Sequence, residues 1–207
     1  MTTSRLIEAA IVSSLFLAYL ALWRIKRARD IRRNAIDPDV LGHASTPLQA
    51  YFATLVRLMT AIVAAIIVLH AVAPSHWPPL VRLTGLDSRL FDLLGGALGA
   101  AGLMVCALAQ NTMGTSCRVG IDTENSTALV ICGIYRWVRN PTYLGLHVVN
   151  LGLWLVWPTT LVAAFLALFF VIMDIQVRCE DEHLSAVHGE RYQAYVARTW
   201  RYVPWIY

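Results

Sequence analysis

Five long stretches almost without charge divide this chain: about residues 6–25, 51–73, 90–110, 143–157 and 159–177. In hydrocarbon a backbone must satisfy its own N–H and C=O groups, so stretches of this kind fold as helices. Spanning the hydrocarbon core takes about 20 residues at about 1.5 Å rise each. The fourth stretch is short, and either borrows residues from Pro141 onward or sits where the bilayer thins. Trp157-Pro158, between the fourth and fifth, reads as the tip of a tight helical hairpin. The first stretch is longer than a secretory h-region of about 7–15 residues, and a basic block follows it, so it reads as a retained span. Only 14% of the 207 residues are charged, where a soluble domain carries about 25%. The expected fold is therefore an all-α polytopic membrane bundle of about five transmembrane helices, one integral domain over residues 1–207. Three N-terminal spans fill residues 1–110, and residues 111–207 hold the polar motifs.

Basic residues set the expected orientation. Lys26, Arg27, Arg29, Arg32 and Arg33 follow the first span, Arg118, Arg136 and Arg139 the third, and Arg178, Arg191, Arg198 and Arg201 the fifth. The loop after the second has Arg82 and Arg89. Five spans with the N-terminus outside put the three larger basic groups in the cytoplasm. Trp77, Trp154 and Trp157 then fall near the outer interface, and Trp23, Trp137, Trp200 and Trp205 near the inner one. A net charge of +4 suits a leaflet of anionic lipid. The tail over residues 180–197 places Leu184, Val187, Tyr192, Tyr195 and Val196 at roughly helical spacing, an amphipathic helix at the cytoplasmic surface. No aromatic stacking platform accompanies the basic block, which argues against nucleic acid. Cys106, Cys117, Cys132 and Cys179 show no C-x-x-C spacing, which argues against a metal site or a disulfide framework. Gly95-x-x-x-Gly99, with Gly96 and Gly102, suits close helix packing within or between chains.

One segment is too polar for its surroundings. Residues 133–145 read Gly-Ile-Tyr-Arg-Trp-Val-Arg-Asn-Pro-Thr-Tyr-Leu-Gly and run straight into the fourth span. An acidic cluster, Glu180-Asp181-Glu182, follows the fifth. The two regions lie at the ends of one hairpin, so antiparallel packing alone returns them to the same membrane depth. Together they form a candidate site for a polar cofactor.

These residues resemble the isoprenylcysteine carboxyl methyltransferase-like group, which includes phospholipid methyltransferases. The resemblance rests on Gly133-Ile134-Tyr135, on Arg139-Asn140-Pro141-Thr142-Tyr143-Leu144-Gly145, and on Glu180-Asp181-Glu182-His183-Leu184. It continues through His188-Gly189-Glu190-Arg191-Tyr192-Gln193-Ala194-Tyr195 and Val203-Pro204, so it covers close to half the chain. Asn140 stands where many relatives have His, Asp181 where they have a second Glu, and His188 where Phe is common. The resemblance implies an integral membrane methyltransferase with S-adenosylmethionine as donor and a lipophilic or small acceptor. It assigns cofactor binding to Gly133, Tyr135, Arg139, Asn140, Pro141, Tyr143, Gly145, Glu180 and Asp181.

The residue chemistry agrees with that assignment. Arg139 and the Asn140 amide suit the donor's carboxylate. Glu180 and Asp181 suit its ribose hydroxyls or ammonium. Tyr135 or Tyr143 suits its adenine or sulfonium. Arg178 and Glu180 are the candidate catalytic residues, Arg178 to orient an anionic acceptor. Membrane lipids and the acceptor are the expected partners, with no metal. Against the functional reading, Arg136 and Arg139 also suit interfacial anchoring, and the acidic cluster suits a solvated helix turn. Arg57 and Asp174, inside apolar stretches, are expected to pair with each other or to line the cavity. His70, His76 and His147 read as packed or interfacial. Two competing readings are a sterol-type reductase using NADPH and a non-catalytic protein on the same scaffold. The reductase pattern continues Gly-Glu, whereas here Leu146 follows Gly145.

Overall fold

Each apolar stretch is a helix in the computed structural model, which describes residues 3–34, 37, 39, 46–72, 77–86, 88–114 and 129–204. The helices are α1 (Thr3–Asn34), α2 (Pro47–Val72), α3 (Arg89–Met113), α4 (Pro141–Val156), α5 (Thr160–His188) and α6 (Glu190–Val196). Among the described residues, four helical stretches are long and apolar enough to cross a membrane: Arg5–Arg32, Pro47–Val72, Arg89–Met113 and Thr160–His188. α4 is a shorter apolar helix. The chain is an all-α integral membrane bundle. Cys117, Arg118, His76 and Trp205 lie outside the described residues.

α3 and α4 form the tightest pair, and glycine is the reason. A Cβ on Gly102 would lie 2.6 Å from Gly145 O and 2.8 Å from Val149 N, and one on Gly95 would lie 2.6 Å from Gly152 O. Only hydrogen side chains permit backbones this close. Gly99 turns toward α1, where a Cβ would meet Leu15 at 2.5 Å. The glycine stripe therefore packs helices within the chain. Cys106 lies on the same stripe, and its thiol donates to Thr142 O at 3.5 Å.

The two ends of the bundle differ. At one end, Arg82 lies 2.9 Å from Glu8 and 3.1 Å from Asp92, joining the segment before α3 to α1 and α3. Leu83 N donates to Pro158 O at 2.7 Å, so residues 81–83 cover the α4–α5 turn. That turn is buried: Trp157 is 3% exposed and stacks on His70 at 4.1 Å. Trp157, expected near the outer interface, is packed against His70 inside the protein at this turn. The covering segment explains why a 16-residue α4 suffices. At the other end lie the C-termini of α1, α3 and α5 and the N-terminus of α4. There Lys26 pairs with Asp30, and its ammonium donates to Gly114 O at 2.8 Å, tying α1 to the end of α3.

The tail also departs from expectation. α5 does not stop near Val177 but continues through the acidic cluster to His188. No glycine or proline interrupts it before Gly189, whose φ of +52° lets the chain turn into the short α6. The separate amphipathic helix over residues 180–197 is therefore the last turns of α5 followed by α6.

Candidate functional site

A cavity of about 230 Å³ lies among α1, α2, α3, α4 and α5. On α5 it is lined by Phe165, Phe169, Met173, Gln176 and Glu180. These steps of four, four, three and four keep one helix face toward the cavity. From Phe165 to Glu180 the face spans roughly 22 Å at 1.5 Å per residue. Polar side chains gather at one end: Gln110, Tyr135, Arg139, Asn140, Tyr143, Gln176 and Glu180. Beyond them the walls are mostly apolar, with Val12, Leu15 and Phe16 from α1 and Val56, Met59 and Val63 from α2.

Local sequence explains the polar end. Gly133, at φ +57°, lies against Thr112 of α3 and opens the 3-10 turn Gly133–Arg136. That turn brings Tyr135, 3% exposed, to the cavity. Pro141 then starts α4, where its missing N–H costs nothing. Asn140 occupies the N-cap, yet its side chain makes no capping bond, and its Nδ2 has no hydrogen-bond partner among the described residues. Across the cavity, Glu180 accepts from the Tyr143 hydroxyl at 2.6 Å and from Gln176 Nε2 at 2.9 Å. The first turn of α4 (Pro141, Thr142 and Tyr143) lines the cavity, so the positive end of its dipole faces it.

The C-terminal segment closes this end. Arg139 N donates to Trp200 O at 2.8 Å, Trp200 N to Trp137 O at 3.1 Å, and Asn140 N to Arg201 O at 3.2 Å. The Arg139 guanidinium donates to Val196 O, the last residue of α6, at 3.3 Å and to Thr199 O, beyond it, at 2.5 Å, and its Nε has no partner among the described residues. Tyr195 donates to Tyr135 O at 2.7 Å. Asp181 accepts from the Tyr192 hydroxyl at 2.5 Å and lies 3.2 Å from Arg201. Burial pushes the Tyr195 phenol up to about 12 and, with the Asp181 hydrogen bond, raises Tyr192 further. Both phenols therefore keep the protons they donate at neutral pH.

The structure thus brings Tyr135, Arg139, Asn140, Pro141, Tyr143 and Glu180 to one cavity end. Gly133 and Gly145 shape it from behind, Gly145 through its contact with Gly102 and Cys106. Asp181 holds the closing segment and does not line the cavity. Arg178 does not line it either: half-exposed, it bonds Asp174 at 2.8 Å. Asp174 also accepts from Tyr202 at 3.3 Å, and Arg57 is exposed. The expected Arg57–Asp174 pair is replaced by Arg178, one turn away on the same helix, and neither residue lines the cavity. His147 is packed among Phe169, Phe170 and Tyr202. Sequence reasoning passed over Gln176 and Gln110. Gln176 carried a signal, since it stands one helical turn before Glu180.

Residues 91–191 match the phospholipid methyltransferase family. Protein-S-isoprenylcysteine O-methyltransferase of Saccharomyces cerevisiae is 30% identical over 125 residues, which are 58% of this chain and 52% of that protein. The chain thus spans about half the length of this curated relative. Among solved structures, a eukaryotic intramembrane Ras methyltransferase, isoprenylcysteine carboxyl methyltransferase, aligns over 100% of this chain and 99% of its own. The identity there is 16% and the TM-score 0.44.

Proposed function

We propose, from the match of residues 91–191 to the phospholipid methyltransferase family, that this chain is a membrane methyltransferase using S-adenosylmethionine. The observation that carries this reading is the two-part cavity. Its polar end joins the loop over residues 135–143 to Glu180, and its remainder runs on as an apolar slot. A polar donor fits the first part and a lipophilic acceptor the second.

In this reading the donor's carboxylate meets Asn140 Nδ2 and the first turn of α4. Arg139 supports the same end while holding the carbonyls of the closing segment. Glu180, fixed by Tyr143 and Gln176, faces the ammonium or the ribose. Tyr135 or Tyr143 offers an aromatic face to adenine or the sulfonium. Methyl transfer is an in-line displacement: the acceptor's lone pair forms the new bond to carbon as the carbon–sulfur bond breaks, leaving S-adenosylhomocysteine. The protein supplies alignment and a dry cavity. A carboxylate or thiolate acceptor needs no base, while an amine must arrive neutral. Arg178, tied to Asp174 outside the cavity, has no part in this version of the site. The basic residues at the cavity's polar end favour the cytoplasm for that end and for the C-terminus.

The test is calorimetry on the protein in detergent, titrated with S-adenosylmethionine, S-adenosylhomocysteine and NADPH. Saturable binding of the two sulfur nucleosides supports the reading, whereas saturable binding of NADPH alone overturns it. Radiolabelled donor with membrane lipid extracts then identifies the acceptor.

A further inference from the structure

Gln110 has a buried group without a partner at the polar end of the cavity. The residue is 5% exposed, lines the cavity, and its Oε1 accepts no hydrogen bond among the described residues. Its position is set tightly. Gly102, Cys106 and Gln110 follow one another at intervals of four on α3. The first touches Gly145 and the second reaches Thr142 O. Gln110 therefore continues the stripe by one more turn, past the Thr142 contact and toward the loop that precedes α4. On its other side Gly133 packs on Thr112, so the turn carrying Tyr135 lies over the last turn of α3. A buried amide oxygen and a buried aromatic ring thus flank the same corner.

An amide oxygen left unsatisfied in such a place is destabilising, and a ligand N–H removes that penalty. Charge decides which N–H. Glu180 is the carboxylate lining the cavity, and it suits the cationic part of the donor. A neutral amide beside an aromatic face suits a neutral, planar donor group. We propose that Gln110 Oε1 accepts a hydrogen bond from the exocyclic amine of the donor's adenine, with Tyr135 against the ring, and so selects adenine over other bases. This rests on the methyl-donor reading above.

The test compares S-adenosylhomocysteine with its analogue lacking the 6-amino group, by calorimetry on the detergent-purified protein. Wild type is expected to bind the adenine compound about tenfold tighter or more. Gln110→Met is expected to bind the two alike, because the acceptor is gone. Gln110→Glu, which keeps an acceptor, is expected to retain the preference. Gln110→Ala carries the same expectation as Gln110→Met if the methionine variant does not fold. Equal affinities in wild type, or a tenfold preference surviving in Gln110→Met or Gln110→Ala, overturn the assignment and leave the donor reading standing. Failure of wild type to bind either compound overturns both.

Discussion

Asn140 holds the N-cap of α4 without capping it. N-cap amides ordinarily accept from the first turn of their helix, and here Nδ2 has no partner among the described residues. Asn140→Ala should therefore weaken S-adenosylhomocysteine binding about tenfold or more while shifting the melting temperature little. Arg178→Ala should leave the affinity unchanged, since Arg178 is turned to Asp174. Equal losses in the two variants, read by calorimetry, would remove the present site assignment. The contrast between Glu180 and Asp181 shows what sequence could and could not reveal at this scale. The pair reads as one acidic cluster, but successive residues on an α-helix point about 100° apart. Glu180 consequently faces Tyr143 and the cavity, and Asp181 faces Tyr192 and Arg201. Helical phase separates them, and phase was hidden because the fifth span was expected to end before the cluster. Gln110 was illegible for a different reason: an uncharged polar residue at the end of an apolar run breaks no pattern.

Elements meet at two kinds of junction, and each carries its own prediction. The glycine stripe of α3 was legible as a packing surface, because small residues at that spacing have few other uses in lipid. Its partner was not legible, since Gly145 and Gly152 lie more than forty positions away in sequence from Gly102 and Gly95. Gly102→Val should lower thermal stability by about 1–3 kcal/mol or more, because its Cβ would strike Gly145 O and the backbone of α4. A melting curve matching that of wild type would contradict the packing described above. The second junction is the C-terminal segment, which holds the cavity loop mainly through backbone pairing and Arg139. Arg139→Lys replaces a planar fork by a point charge. Loss of one charge-assisted bond, about 2 kcal/mol, should speed amide exchange about 30-fold at Asn140 and Trp200. Hydrogen exchange measured by mass spectrometry reads this directly. Unchanged protection there would mean that the backbone pairing alone holds the segment.

At the scale of the molecule, the two ends of the bundle divide stability from binding. The Arg82 cluster sits at the end away from the polar site and joins α1, α3 and the turn into α5. Arg82→Ala would leave Glu8 and Asp92 buried without their shared cation, at a cost of about 3–5 kcal/mol. It should lower the melting temperature yet leave donor affinity intact below that temperature. The apolar slot between the ends makes the complementary case. Val63 lines it from α2 and packs against the apolar core that includes Leu153 and Phe165. Val63→Trp fills that part of the slot with an indole. If the slot receives the tail of a lipophilic acceptor, kcat/KM for a long-chain acceptor should fall about tenfold or more, since each excluded CH₂ forfeits about 0.8 kcal/mol. Donor affinity by calorimetry should not change, because the polar end is untouched. A short, polar acceptor should react equally with both proteins. Equal losses for long and short acceptors would mean that the indole disturbs the donor end, and the slot would then have no claim as an acceptor channel.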